Sequence, residues 1–309
     1  MSFVDMMDRV IIFFFFISCI HAFRKSDFPS GYEIISTLGK GFEGETFQAR
    51  NKSDGVMYCM KVFRKRSTEA FDNEAAVVSI LPVHVSLMKY YKAETHNHTH
   101  FIISEFINGT RLLNHLPSRN VTFNETRVLL WTEQIFDGLA HLHSAIPRIV
   151  HYDITLSNVM VTNKNSIKII DVGDCVIGEN KVKHQQYANA YSSPERYWFQ
   201  HQTSTWRQQN PSLIKKYETL FLEKDDIWAT AIMISELVTG KRVTSTNSRL
   251  GTGRQGVNTP VNTVLLNRMI SEVFIKSKKL GTIVQNILSH RSPKNRPSAN
   301  DILQSYRFQ

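Results

Sequence analysis

From Tyr32 to Phe63 apolar and polar residues alternate, broken by Gly39, Gly41 and Gly44 and again by Asn51 to Gly55. A period of two with glycine-bearing interruptions predicts two or three antiparallel strands. Phe71 to Leu81 has helical spacing, and two further strand patterns cover Val85 to Tyr91 and Phe101 to Phe106. After these the apolar period lengthens to 3.6, most clearly from Thr126 to His143, so one stripe of each helix would face a core. The expected fold class is α+β and bilobal: a small β-rich lobe over 32–107 and a larger α-helical lobe over 108–308, hinged near Asn108-Gly109-Thr110.

The amino terminus departs from this pattern. Residues 10–23 are a 14-residue apolar run that includes Phe13 to Phe16, short of the roughly 20 needed to cross a bilayer. Residues 1–22 read as a signal peptide or short signal anchor that would bring the chain near a membrane, with Ala22 as a cleavage position, and 23–31 as a linker. Asn-x-Ser/Thr sequons at Asn51, Asn97, Asn108, Asn120 and Asn124 fall in predicted turns or helix starts, where a glycan buries no backbone. The expectation is a glycoprotein of the secretory pathway, lumenal, secreted or membrane-anchored. Cysteine favours the cytoplasmic alternative, because only Cys59 and Cys175 follow Cys19, too few for a disulfide framework.

Apolar residues make up 42% of the 309 but are interrupted by charge almost everywhere, which excludes a disordered chain, a collagen-like fibre and a polytopic membrane protein. Lys and Arg exceed Asp and Glu by 37 to 27, a net +10, which favours phosphate-bearing ligands. No basic run is interleaved with aromatics, so nucleic acid is not an expected partner.

Three stretches carry chemistry. Gly39-Lys40-Gly41-Phe42-Glu43-Gly44 lies between two predicted strands, where glycine lets main-chain N–H groups approach a phosphate. Gly251-Thr252-Gly253-Arg254-Gln255-Gly256 repeats the spacing with no strand before it and reads as a loop. Lys61 follows on the next strand and Glu74 on the next helix; a lysine in a cleft needs such a carboxylate to stay charged. His151-Tyr152-Asp153, Asn158 and Asp171-Val172-Gly173 then set two carboxylates and an amide beside short apolar strands. His96, His98 and His100 alternate in a polar stretch and read as a solvated face rather than a metal site.

The order His-x-Asp-x-x-x-x-Asn, followed 13 residues later by Asp-x-Gly, resembles the catalytic and magnesium loops of eukaryotic-type protein kinases. Ser193-Pro194-Glu195, Asp226-Ile227-Trp228 and Asn295-Arg296-Pro297 extend the resemblance over about 32–308. It implies a protein-kinase-like fold and an ATP- and Mg2+-dependent enzyme, with Mn2+ as a substitute, acting on a Ser/Thr hydroxyl of a protein. By the resemblance, Gly39, Gly41 and Gly44 cover the nucleotide phosphates, Lys61 holds the α and β phosphates, and Glu74 orients Lys61, with Glu69 as the fallback partner. Thr46, Cys59, Glu105, Ile107 and Met160 line the nucleotide site; Asn158 and Asp171 ligate the metal; Asp153 accepts the substrate hydroxyl. Glu195 and Arg296 would form a buried ion pair.

The chain departs from the family at several positions. Tyr152 stands where most of these kinases have Arg, and no Ser or Thr lies between Gly173 and Tyr191. A chain lacking both the cation and the hydroxyls should not need Ser/Thr phosphorylation to order that segment, which leaves Tyr187 and Tyr191 as candidate sites. Thr155 replaces a lysine and Ala188 a threonine near the transferred phosphate, which motivates a second reading as a pseudokinase that binds nucleotide or a partner. A small-molecule kinase of the aminoglycoside or choline type shares the His-x-Asp-x-x-x-x-Asn motif and ranks below both. The 30 residues between Glu195 and Asp226, with Trp198, Phe199, Trp206 and Pro211, suggest an inserted surface element.

Overall fold

The computed structural model describes residues 23, 27–118, 122–178, 190–200, 202, 204–213, 222–243, 263–290, 292–306 and 308. The alternating stretch folds as a meander of β1 (Tyr32–Lys40), β2 (Gly44–Asn51) and β3 (Met57–Phe63). The β2–β3 turn is set by Asn51, whose side-chain oxygen accepts from the Ser53 N–H at 3.0 Å, and by Gly55 at φ 72°, a left-handed conformation that glycine adopts without strain. With β4 (Tyr90–His96) and β5 (Thr99–Glu105) the sheet has the order β1-β2-β3-β5-β4, antiparallel throughout. Its buried face gathers Phe47, Ala49, Met60, Val62, Phe101 and Ile103, on which Phe23 and Phe28 pack; both rings meet Phe47 edge-on.

The strand expected over Val85 to Tyr91 is displaced. Pairing begins at Tyr90, and the apolar residue that produced the pattern, Leu87, is buried by bridging to Ile169 in the other lobe. The Ile169 N–H donates to the Ser86 carbonyl at 2.8 Å and the Met88 N–H to the Ile169 carbonyl at 2.9 Å, so this connection ties the lobes together. The histidine reading also needs correction. His98 is exposed, but His100 stacks on Phe71 with centroids 4.6 Å apart.

Helix α1 (Thr68–Ile80) buries Phe71, Glu74 and Val77, a spacing of three that brings one carboxylate onto an otherwise apolar face. Short strands β6 (Gly109–Arg111), β8 (Val159–Thr162) and β9 (Ile167–Ile169) form a second sheet, and β7 (Ile149–Val150) pairs with β10 (Val176–Ile177). Helix α2 (Glu125–His143) is capped by Asn124, which accepts from the Arg127 N–H at 2.9 Å. The larger lobe continues with α3 (Pro194–Gln200), α4 (Ser204–Gln209), α5 (Leu222–Thr239), α6 (Thr263–Lys276), α7 (Lys278–Leu288) and α8 (Ala299–Ser305). Fifteen of the 18 residues of α5 are buried, the mark of a helix enclosed on all sides; Trp228, Ile232 and Leu237 sit in one core with Trp131 and Phe136 of α2 and Val284 of α7.

Arg296, fully buried, grips Glu195 through two nitrogens at 2.6 and 3.2 Å and lies over the Trp228 ring. The planar fork matches the carboxylate and repays burial of both charges only when paired this way. Asn97, Asn108 and Asn124 of the sequons are exposed and Asn51 is half-buried; Asn120, the Phe13 to Phe16 run and the second glycine-rich copy lie outside the described residues. No helix among the described residues is long and apolar enough to cross a membrane.

Candidate active site

A cleft of about 840 Å³ opens between the lobes. Its roof is the β1–β2 turn, where Gly41 N–H donates to the Gly44 carbonyl at 2.8 Å. A Cβ on Gly44 would stand 2.0 Å from the Val62 carbonyl oxygen, so β2 and β3 approach here only because position 44 has no side chain. Gly39 has open space where its Cβ would be. The roof therefore presents main chain toward the cleft, as a phosphate cradle requires.

Lys61 pairs across the ladder with Thr46 and reaches Glu74 at 2.6 Å, Glu43 at 3.4 Å and Asp171 at 3.7 Å. Burial works against both members of the Lys61–Glu74 pair. It raises the Glu74 carboxyl to about 7, despite the pull of Lys61. It would also lower the ammonium, yet Glu74, Asp171 and Glu43 hold Lys61 above its ordinary value. Three carboxylates stand within 4 Å of the Lys61 ammonium, and their combined pull favours its charged form. Glu69, the fallback partner, is exposed in the first turn of α1.

The floor of the cleft is the loop after β7. Asp226 of α5 accepts from the His151 and Tyr152 N–H groups at 2.9 and 2.8 Å and from His143 at 2.8 Å. Burial alone would raise its carboxyl, but the hydrogen bond and charge of His143 hold it below the usual range. Tyr152 is thereby kept at φ 65°, a conformation costly for a bulky residue. Asp153 follows, its Oδ2 accepting from the Asn158 side-chain amide at 2.6 Å. Burial raises the Asp153 carboxyl, Asp171 adding to the rise against the pull of His151. Asp171, at φ 66°, is drawn down: burial opposes this, and Lys61 with the Gly173 N–H outweighs it.

Lys61, Glu74, Asp153, Asp171, Gly39, Gly41, Gly44, Thr46, Cys59, Ile107 and Met160 all border this one cleft. Glu105 borders it too, but its carboxylate turns away to Lys168 at 2.7 Å and to the Lys89 N–H at 2.7 Å, leaving its main chain for a ligand. Asn158 is not among the lining residues; with its amide nitrogen given to Asp153, its carbonyl oxygen is the atom available to a cation. Burial pushes the Cys59 thiol up to about 11, so it acts as a small apolar wall.

The comparisons with known proteins agree with this arrangement. The protein kinase domain model matches residues 32–308. The chain belongs to the protein kinase family. Among its relatives, Probable serine/threonine-protein kinase nek3 of Dictyostelium discoideum is 27% identical over 286 residues, 88% of this chain and 23% of that protein. Human RAC-beta serine/threonine-protein kinase is 34% identical over 154 residues, covering 48% and 31%. Human serine/threonine-protein kinase Sgk1 is 26% identical over 176 residues, covering 55% and 39%. The matched part of this chain therefore spans under half the length of each relative.

The donor set suits a nucleotide carrying a divalent cation. Magnesium is commonly held by one or two protein oxygens with the remainder from phosphates and water, and Asp171 with Asn158 supplies such a minimal set beside Lys61. Three features of the cleft had no signal in the motif spacing. Asp174 borders the cleft, its carboxyl raised to about 6 by burial and by Asp153 and Asp171. Glu43, at the tip of the glycine turn, places its carboxylate on Lys61, where a phosphate oxygen would go. Arg196 packs beneath Tyr152. Glu43 must yield when phosphate arrives. Because it is 41% exposed, its hold is weak, and Glu43→Gln should tighten ATP binding by about two- to fivefold in calorimetry. Unchanged or weaker binding would show that the Glu43–Lys61 contact does not compete with nucleotide.

One expectation about modification fails. Tyr191 is 5% exposed and its hydroxyl donates to the Glu236 carboxylate, so it is a core residue closed to phosphorylation. Tyr187 lies outside the described residues.

Proposed function

We propose that this chain is an active protein kinase that transfers the γ-phosphoryl group of ATP to a Ser or Thr hydroxyl of a protein. The observation that carries the reading is the closed Lys61–Glu74 pair, at 2.6 Å, bordering the same cleft as Asp153 and Asp171. The three relatives named above are all serine/threonine-protein kinases, which supports the hydroxyl class. Main-chain N–H groups of the glycine turn would cover the phosphates, while Thr46, Cys59, Ile107 and Met160 enclose the rest of the nucleotide. Lys61 would neutralise the α and β phosphates, aimed by Glu74. Asn158 and Asp171 would hold Mg2+ or Mn2+, which when bound neutralises charge on the phosphate oxygens. Asp153, its Oδ2 fixed by Asn158, would orient the substrate hydroxyl and take its proton as the oxygen attacks.

A pseudokinase is the second reading, favoured by Thr155, which places a neutral side chain where a lysine would stabilise the transferred group. Purified protein given labelled ATP, magnesium and a generic protein substrate decides between them. Label on phosphoserine or phosphothreonine, absent with Asp171→Ala, is the expected result. Nucleotide binding with no transfer under any divalent cation would replace the enzyme with the pseudokinase.

A further inference from the structure

We propose that Arg196 is the positioning residue of the catalytic loop, supplying from the start of α3 the cation that position 152 lacks, so that this loop and the end of the stretch from Gly173 to Arg196, which by the resemblance is the activation segment, hold each other without a phosphate.

The inference rests on the reading of the chain as a kinase, but its geometry stands apart from the nucleotide site. Arg196 is 2% exposed. One terminal nitrogen donates to the Tyr152 carbonyl at 2.6 Å and to Asp225 Oδ2 at 2.8 Å. The guanidinium carbon lies 3.7 Å from the centroid of the Tyr152 ring, close enough for a strong cation–π contact in a desolvated site. The other oxygen of Asp225 accepts from the Ser193 N–H at 2.8 Å, and the Ser193 hydroxyl accepts from the Arg196 N–H at 3.3 Å. Four residues from three parts of the chain thus close a ring: Tyr152 of the loop, Ser193 and Arg196 at the end of the segment, and Asp225 of α5. The adjacent Asp226 fixes the N–H groups of that same loop. Two neighbouring carboxylates on a helix enclosed by core therefore hold the main chain on both sides of the Tyr152 Cα, Asp226 at the N–H directly and Asp225 at the carbonyl through Arg196.

In an arginine-bearing loop, a cation at position 152 would point at the activation segment and need a phosphate there to be satisfied. Here the polarity is exchanged. The segment brings the cation, the loop offers a carbonyl and an aromatic face, and the permanent carboxylate of Asp225 replaces a transferred phosphate. That substitution is consistent with the lack of any Ser or Thr between Gly173 and Tyr191. A buried guanidinium also resists replacement: lysine keeps the charge but cannot reach a carbonyl, a carboxylate and a ring face together. Trp198, two residues on, packs on the cluster of Val150, Tyr152, Val176 and Leu222, so the inserted stretch after Glu195 is in part the underside of the loop rather than a free surface.

The test compares phosphatase-treated wild type with Arg196→Met and Arg196→Lys. Phosphatase treatment should leave kcat unchanged. Arg196→Met should lower kcat by about tenfold or more with KM for ATP within about twofold, and Arg196→Lys should fall between. Amide hydrogen exchange should show Tyr152 and Ser193 losing protection in both variants, while β2 and β3 keep theirs. If Arg196→Met does not fold, Asp225→Asn, which keeps an acceptor for Ser193 but not the charge, takes its place with the same expectations. Wild-type kcat and wild-type protection in the variant, or loss of activity on phosphatase treatment, would overturn the proposal. Should the wild type transfer no phosphate at all, the enzymatic reading falls, and the exchange pattern alone still decides whether Arg196 holds the loop.

Discussion

Lys61→Met is expected to lower phosphoryl transfer by about 10²-fold or more, the usual loss when one preorganised electrostatic contact to a developing charge is deleted. The ammonium borders the cleft beneath the glycine turn, 2.6 Å from Glu74 and 3.7 Å from Asp171. Methionine fills nearly the same volume, so the aliphatic stem keeps its packing between β2 and β5. Removing a charge from a buried pair would ordinarily unfold part of a lobe. Glu74 offers a way out: its carboxyl already stands at about 7 because it is buried, and without Lys61 it rises further and takes up a proton. The neutral acid can then remain against Phe71 and Val77. The expected outcome is thus a folded protein with a normal melting profile, weaker nucleotide binding and a collapse in kcat. Transfer at the wild-type rate would mean that Lys61 does not face the phosphates, and with it the register of the whole site would be lost.

Much of this site was legible from spacing, and the reasons differ by element. Glu74 was readable because it interrupts the apolar side of α1 at the helical period, so whatever faced Phe71 and Val77 had to meet a carboxylate. The Glu195–Arg296 pair followed from the family's motifs, although 101 residues separate its members. Strand β4 was misplaced for a physical reason: an edge strand with half-exposed faces has little apolar alternation, whereas Leu87 carries the strong signal and spends it on a bridge to Ile169. The ring of Tyr152, Ser193, Arg196 and Asp225 had no one-dimensional signature. Its members are up to 73 residues apart, and an arginine or aspartate alone is a surface residue more often than a buried one. Glu43 was hidden by its glycine neighbours, which drew the reading toward main chain and away from the one charged side chain in the turn.

Asp153→Asn should lower kcat by about 10² to 10⁴, the range for losing a positioned general base, with little change in KM for ATP. The substitution is nearly isosteric, and the carboxylate's partner shows why the loss is specific. Asp153 Oδ2 accepts from the Asn158 amide at 2.6 Å, a contact the new carbonyl oxygen can still make, so the loop and the cation-holding oxygen of Asn158 keep their places. What disappears is the second oxygen's ability to accept a proton from the attacking hydroxyl. In the proposed site the phosphates meet the glycine turn, Lys61 and the cation on Asn158 and Asp171, none of which the substitution alters, so binding should be spared and single-turnover rates should drop as far as kcat. A retained rate would remove Asp153 from the proton's path and point to Asp174, which borders the same cleft with its carboxyl raised to about 6 by burial and by Asp153 and Asp171. Asp174→Asn would then be the variant to lose activity, and the two substitutions together separate a base from a neighbour that only shares its field.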